Sequence, residues 1–504
     1  MRLRSFGLAL AMLAATALPA GAVDLRYGSK GLPTSYGNPY TGNGSPGIYL
    51  WSAMYDGLTR LDKNGAIAPA LATSWKSLSP TSWQFTLRKN VTFSNGEPFN
   101  ADAVIAAITW LKTPEANIKG AIVVNEVRGI SSAEAGEDGS VIIRTARPDP
   151  ILPARLSSMM IPAPAAWREL GIDAFAKAPS GTGPFQVKDW GGTAKITLNA
   201  FAESWRKPKV DRLIIINLPD NSTRVQALLS GQIDIAGNIG VDDIDAIEAA
   251  GMISAVGPAM AVMSMGLRVE GGPNAALKDV RVRQALNYAI DKAAINQALL
   301  RGLSPPSGQP AAREVVGYNP DVKPYPYDPA KAKALLAEAG YPNGFPMHFE
   351  VMVDRTPGDR GVFESLASQL GKVGVQTTLR IVTFGSWMES YLGGTWDKET
   401  DGFILSFNAA PYNDVSRPME IYSCLRPNGF YCDKALTAKL VASNEETNVD
   451  KRLTQLNELA KLFHDAAPAI YLGEQFDVFG VTKKIEGFVI ANRAPVYENI
   501  TVKK

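Results

Sequence analysis

The sequence predicts a mixed α/β protein with more than one domain, and three observations lead there. First, Trp83, Phe85 and Leu87 alternate with Gln84, Thr86 and Arg88, the period-2 pattern of a half-buried strand. A turn at Asn95-Gly96 then leads to Ala103, Val104, Ala107, Ile108 and Leu111 at helical spacing, with Asn100 or Asp102 placed to cap the free amides. Second, Leu213 to Asn217 is a continuous apolar run that suits a strand in a sheet covered on both faces. Third, the 504 residues are 46% hydrophobic and 20% charged, which is ordinary globular composition with length for several domains.

Residues 1-22 read as a secretory signal: basic Arg2 and Arg4, an apolar run from Phe6 to Leu18, and Ala20-Gly21-Ala22 as the cleavage site. Cleavage is expected after Ala22, which places the mature protein in the periplasm; a buried N-terminal helix is the competing reading. Arg2 and Arg4 are the only charges in that segment, so the formal net charge of +2 falls to zero beyond it. A neutral chain speaks against nucleic acid as a partner, because phosphate binding needs concentrated Lys and Arg. No cysteine follows the apolar run to carry a lipid. No later stretch approaches the about 18 uninterrupted apolar residues of a membrane span.

Along the chain, Asp24 to Gly28 reads as a first strand and Ser29 to Gly47 as a long Gly, Pro and Asn-rich loop, a length that usually carries function. Ile48 to Gly57 is a helix with Trp51, Met54 and Tyr55 inward, and Leu58 to Pro179 alternates strand and helix signals. Thr223 to Ser230 is helical, Ile233 to Ala236 is a short strand, and Met263 to Val269 is another. Residues 279-301 and 328-340 are amphipathic helices, each begun by an Asp, and Phe363 to Val373 and Lys451 to His464 are two more. Ala469 to Leu472 is a late strand.

Five blocks carry a family resemblance: Pro69 to Val104, Ser180 to Phe185, Leu228 to Ile235, Asp279 to Asp291 and Tyr327 to Gly340. In this order the chain resembles the family 5 solute-binding proteins, the peptide, opine and nickel receptors of ABC importers. The resemblance implies a two-lobed periplasmic-binding-protein fold of the cluster C type, with an extra small domain in lobe 1 and a hinge between lobes. It assigns 23-57, 180-265 and 480-504 to lobe 1, 58-179 to the extra subdomain, and 266-479 to lobe 2. It implies a monomer that carries a peptide-like or opine-like solute to an inner-membrane permease and its ATPase subunits, with no cofactor and no metal.

The same resemblance nominates a ligand set. The long first loop brings Tyr36 and Asn38 to the cleft. Arg360 aligns with an arginine of the dipeptide-binding members, and its planar fork suits a ligand carboxylate. Arg268 stands where the family usually has asparagine, so it meets an acidic ligand or pairs with Glu270. Peptide-binding members carry a tryptophan and an aspartate in the segment matching Ser406 to Asp414, and the aspartate holds the peptide's amino terminus. Here Phe407 replaces the tryptophan and Ala409 or Ala410 the aspartate. A free-amino-terminus mode then needs Asp414 as a substitute, since an unpaired buried ammonium costs several kcal/mol. Asn408, Tyr412 and Asn413 suit a ligand rich in hydroxyls or amides, and Trp387 completes the set.

Cys424 and Cys432 flank a Pro-Asn-Gly loop and are expected to form a disulfide in an exported chain, worth about 2-3 kcal/mol in the chain-entropy model. A metal site would need more ligands than two sulfurs, and no histidine is nearby in sequence. An enzyme is the main rival class. The chain has 2 histidines, His348 and His464, and no nucleophile elbow, HExxH pattern or complete phosphate loop. A non-transport periplasmic role, as a chaperone or chemoreceptor partner, could share the whole fold, and a hydrolase is the more distant alternative.

Overall fold

A computed structural model describes residues 22-41, 46-119 and 122-503; apart from Ala22, the expected signal segment lies outside them. The strand Asp24–Ser29 runs parallel between Arg212–Asn217 and Ile235–Gly237, and Lys195–Ala200 and Phe185–Asp189 continue that sheet antiparallel. In the other half, Pro346–Val351 runs parallel between Gln376–Ile381 and Gly402–Ile404. Two long strands, Ile253–Leu267 and Ala469–Val481, pair antiparallel from Ile253 opposite Val481 to Gly266 opposite Ala469. They join the halves into one 11-stranded sheet.

These two strands are the hinge. Toward one end Phe479 pairs with Gly237 of the first half; toward the other Val262 pairs with Phe407 and Gly266 with Phe403 of the second. Between them the register shifts twice, from Pro258 to Val262 and from Val262 to Ser264. Such irregularities bend a strand locally, which suits a place where two lobes move against each other. The pairing with the second half begins at Ala261 on the first of these strands, and the pairing with the first half begins at Phe479 on the other. The crossing strand itself begins at Ile253, ten residues before the expected Met263; its first part is exposed or half-buried from Ile253 to Val256 and carries Gly257 and Pro258, residue types that read as a break in a strand.

A separate antiparallel sheet, in the order Ala72–Ser79, Ser82–Leu87, Val141–Thr145 and Ile130–Ala135, forms from the segment after residue 58. The helix Ala101–Leu111 buries Ala103, Val104, Ala107, Ile108 and Leu111 and lies against Ile130–Ala135. Of the two cap candidates Asn100 is the cap: its Oδ1 accepts from Asp102 N at 3.0 Å and Ala103 N at 3.3 Å. Glu97 caps a second helix, Pro164–Lys177, accepting from Ala165 N and Ala166 N at 2.8 and 3.0 Å. The most informative stretch of the sequence is therefore scaffold. The Gly181-Thr182-Gly183 turn is likewise structural. A Cβ on Gly181 would sit 2.1 Å from the Met54 carbonyl oxygen, so the chain can pass the helix Gly47–Met54 only as glycine.

One hydrophobic cluster joins the first strands to the small sheet through Tyr27, Tyr49, Phe85, Phe93 and Phe175. The other gathers Met265, Phe349, Phe363, Phe403, Phe407 and Tyr471 of the second half. The amphipathic stretch 279-301 is two helices, Val280–Tyr288 and Lys292–Leu300, and not one. Asp279 caps the first and Asp291 the second, whose Oδ1 accepts from Ala294 N at 2.9 Å. The cysteines are joined as the disulfide Cys424–Cys432. Among the described residues no helix is long and apolar enough to cross a membrane.

Candidate ligand cleft

In open α/β sheets ligands bind beyond the carboxyl ends of parallel strands. Here Lys30 follows the parallel strand of the first half directly, and Arg355 lies four residues past the parallel strand of the second. The two meet: Lys30 Nζ donates to the Arg355 carbonyl oxygen at 2.9 Å. The Arg355 guanidinium lies 4.6 Å over the Phe384 ring. Deeper in, Asp477 on the hinge strand takes a two-pronged bond from Arg493, at 2.7 and 2.9 Å. Arg224 holds the ends of the first-lobe strands, donating to the carbonyls of Leu218, Gly237 and Asn238 at 2.6, 2.8 and 2.6 Å.

These groups feel one another. Burial pulls the Lys30 ammonium down to about 8, Arg355 adds to the fall, and Asp477 opposes it; Arg493 and Arg224 pull down further. Burial also lowers Arg355, against Asp359, and Arg493 adds to the lowering. Four cations thus share the site with two carboxylates, Asp477, which is bound to Arg493, and Asp359, which accepts from the backbone amides of its own loop.

A second zone of contact closes the other side. Arg155 Nη1 donates to the Tyr412 hydroxyl at 2.8 Å and lies 4.8 Å over its ring. Ser157 donates to the Pro411 carbonyl at 3.1 Å, and Asn413 Nδ2 to that of Gly65 at 3.0 Å. Arg417 bonds Glu126 at 2.9 Å, with side chains 16% and 4% exposed, and Arg128 bonds Glu420 at 2.7 Å. Every one of these contacts joins the small-sheet region to the segment 411-420, so the lobes are drawn together.

Several expected ligand residues are committed elsewhere. Asp414 is 2% exposed and forks onto Arg452 at 2.7 and 2.9 Å, so it is no substitute for the missing aspartate. Arg268 gives its guanidinium to the carbonyls of Thr400 and Gly271, both at 2.7 Å, and among the described residues forms no ion pair with Glu270. Phe407 is stacked on Tyr422 at 4.0 Å and Tyr471 at 5.4 Å in the second core. Asn38 turns its own loop, accepting from Tyr40 N at 3.0 Å, and Asn408 does the same for Ala410 N at 2.9 Å. Tyr412 and Asn413 serve the contact between lobes. Trp387 is buried and stacked on Tyr391 at 4.7 Å. Tyr36 is exposed, with its ring edge-on to Trp190 at 5.1 Å.

Arg360 pairs with Asp354 at 3.2 Å, and both side chains are largely in solvent. Arg360→Ala is expected to leave the affinity for the solute released from the purified protein within about threefold, the reach of an exposed ion pair, by isothermal titration calorimetry. A loss of about 30-fold would return Arg360 to the site. Sequence reasoning missed Lys30 and Arg493 and passed over Arg355. Position beyond a parallel strand was the signal for Lys30 and Arg355; Arg493 has none, because it reaches Asp477 from the turn between the short strands Ile490–Ala491 and Ala494–Pro495. A separate depression of about 390 Å³, lined by Tyr288, Tyr325 and His464, includes none of these residues.

Two lobes built on one sheet thus meet at their parallel strand ends, the architecture of a two-lobed solute-binding protein. The chain belongs to the bacterial extracellular solute-binding proteins of family 5, whose middle region matches residues 66-426. It is similar to the glutathione-binding protein GsiB of Salmonella typhimurium, 26% identical over 506 residues covering 97% of this chain and 96% of that one. Its fold is similar to the dipeptide-binding protein of Pseudoalteromonas sp. SM9913 in complex with Met-Leu, at a TM-score of 0.83 and 21% identity, covering 95% of this chain and 100% of that one. It is also similar to AgaA of A. tumefacien R10 in complex with agropinic acid, at a TM-score of 0.81 and 24% identity, covering 95% and 99%.

Proposed function

We propose that the chain is the exported, periplasmic receptor of an ABC importer, that it captures a peptide-like or opine-like solute between its lobes, and that it hands the solute to an inner-membrane permease with its ATPase subunits. The observation that carries this reading is the Lys30 to Arg355 contact, in which the strand-end loops of opposite lobes close over one place. A solute there touches both lobes and favours the closed state by its differential affinity for it. The hinge strands Ile253–Leu267 and Ala469–Val481 supply the rotation. Relatives named for glutathione, agropinic acid and Met-Leu support a small polar solute with amide or acid groups. Of these, a plain dipeptide fits least well, because the described cleft residues offer its ammonium no uncommitted carboxylate.

The test is native mass spectrometry of protein purified gently from the periplasm, followed by denaturation and identification of any released compound. A retained peptide-like or sugar-amino acid conjugate is expected, and adding it back should shrink the radius of gyration in small-angle scattering. A protein that retains nothing, and whose scattering is unmoved by glutathione, agropinic acid and Met-Leu, would overturn the reading.

A further inference from the structure

Resting on the receptor reading, we infer that the solute is an acid and that Lys30 of one lobe and Arg355 of the other bind its oxyanion together. The two residues come from loops 325 positions apart and touch across the cleft, so a group held by both is in contact with both lobes. Their donors are underused. Lys30 has three N–H donors and spends one on the Arg355 carbonyl. The Arg355 guanidinium lies over the face of Phe384, which fixes its plane and leaves the N–H edge to an oxyanion fork.

The neighbouring carboxylates are otherwise engaged. Asp359 accepts from the backbone amides of Asp354, Arg355 and Thr356 at 2.9, 2.8 and 2.9 Å. Asp477 is forked on Arg493 and Asp414 on Arg452. Among the described residues, no carboxylate lies within ion-pair distance of Lys30 or Arg355. Two like charges held together by the fold repel each other, and an anion between them relieves that repulsion only in the closed form. The depressed titration of Lys30 agrees with this, since burial and Arg355 both disfavour its charge until an anion compensates. A cationic solute would meet the same field with the wrong sign.

The test is differential scanning fluorimetry, followed by calorimetry on the hits, of wild type, Lys30→Met, Arg355→Gln and Lys30→Arg. The library holds carboxylic acids including glutathione and agropinic acid, organic phosphates, the neutral amides or esters of each, and polyamines. The expected hits are acids, with carboxylates and phosphates reported separately. Lys30→Met and Arg355→Gln should each weaken them by about 30-fold or more, while Lys30→Arg retains most of the affinity. Circular dichroism of the solute-free variants checks that each is folded. Hits that are neutral or cationic, or acids held within about threefold by both folded variants, overturn the inference and leave the receptor reading standing. A wild type stabilised by no compound counts against the receptor reading and takes this inference with it.

Discussion

Asp414→Ala is expected to lower the melting temperature by about 3-5 °C while leaving solute affinity within about threefold. Asp414 and Arg452 are 2% and 5% exposed and share two bonds of 2.7 and 2.9 Å. Arg452 also donates to the Ser443 carbonyl at 3.1 Å, so it cannot swing out to water without further loss. Removing the carboxylate strands a buried guanidinium, which costs about 3-5 kcal/mol. Adding Arg452→Met to Asp414→Ala should recover part of that loss, because no charge then remains unpaired; a double-mutant cycle reads the coupling. Burial pushes the Asp414 carboxyl up, but Arg452 and Ser416 outweigh it and hold it below its ordinary value. A depressed carboxyl contributes stability above its unfolded pKa, lost as pH falls through the folded one. The deficit of the variant should therefore be full from pH 5 to 8 and shrink below about pH 4. Weakened solute binding with an unchanged melting temperature would put Asp414 back in the cleft.

Lys292→Met should stabilise the protein at pH 6 by on the order of 2-3 kcal/mol, and the gain should fade by pH 10. Lys292 is 5% exposed, donates to the Asn287 carbonyl at 2.7 Å and lies 6.0 Å from the Tyr325 ring. Burial pulls its ammonium from 10.5 down to about 7, against Asp291. Between those two values the unfolded chain holds a proton that the folded chain has released, so wild-type stability rises with pH across that window. Below about 7 the folded protein carries the buried charge at full cost. Methionine removes that cost and returns about 1-3 kcal/mol of it at the carbonyl left without its donor. Thermal unfolding of both proteins at pH 6 and pH 10 measures the difference. An equal effect at the two pH values would mean that Lys292 does not change its protonation there.

Elements whose signals are local were legible. The strand Ser82–Leu87 and the helix after it follow from alternation, a turn dipeptide and the cap at Asn100. The two short-range caps Asp279 and Asp328 were legible for the same reason. The break at residues 289-291 was not, because apolar spacing continues through Ala289 and Ile290 although the helix axis changes there. The start of the crossing strand was not legible because Gly257 and Pro258 interrupt it, and only the partner strand Ala469–Val481 holds Ile253 to Pro258 extended.

The ligand set divides along the same line. Arg268, Arg355, Arg360 and Arg452 are one residue type, and nothing within a few positions of any of them tells carbonyl clamp from cleft cation, surface pair or buried partner. Which role each takes depends on the partner that arrives from far along the chain: Thr400 for Arg268, Asp414 for Arg452, Lys30 for Arg355. The sequence by itself determined the family, the alternating α/β elements and the absence of the aspartate that peptide-binding members use, because these depend on local pattern and residue identity. Only the tertiary structure decided which charges are consumed and which face the cleft, because a side chain's electrostatic role is set by its burial and by neighbours that only folding brings together.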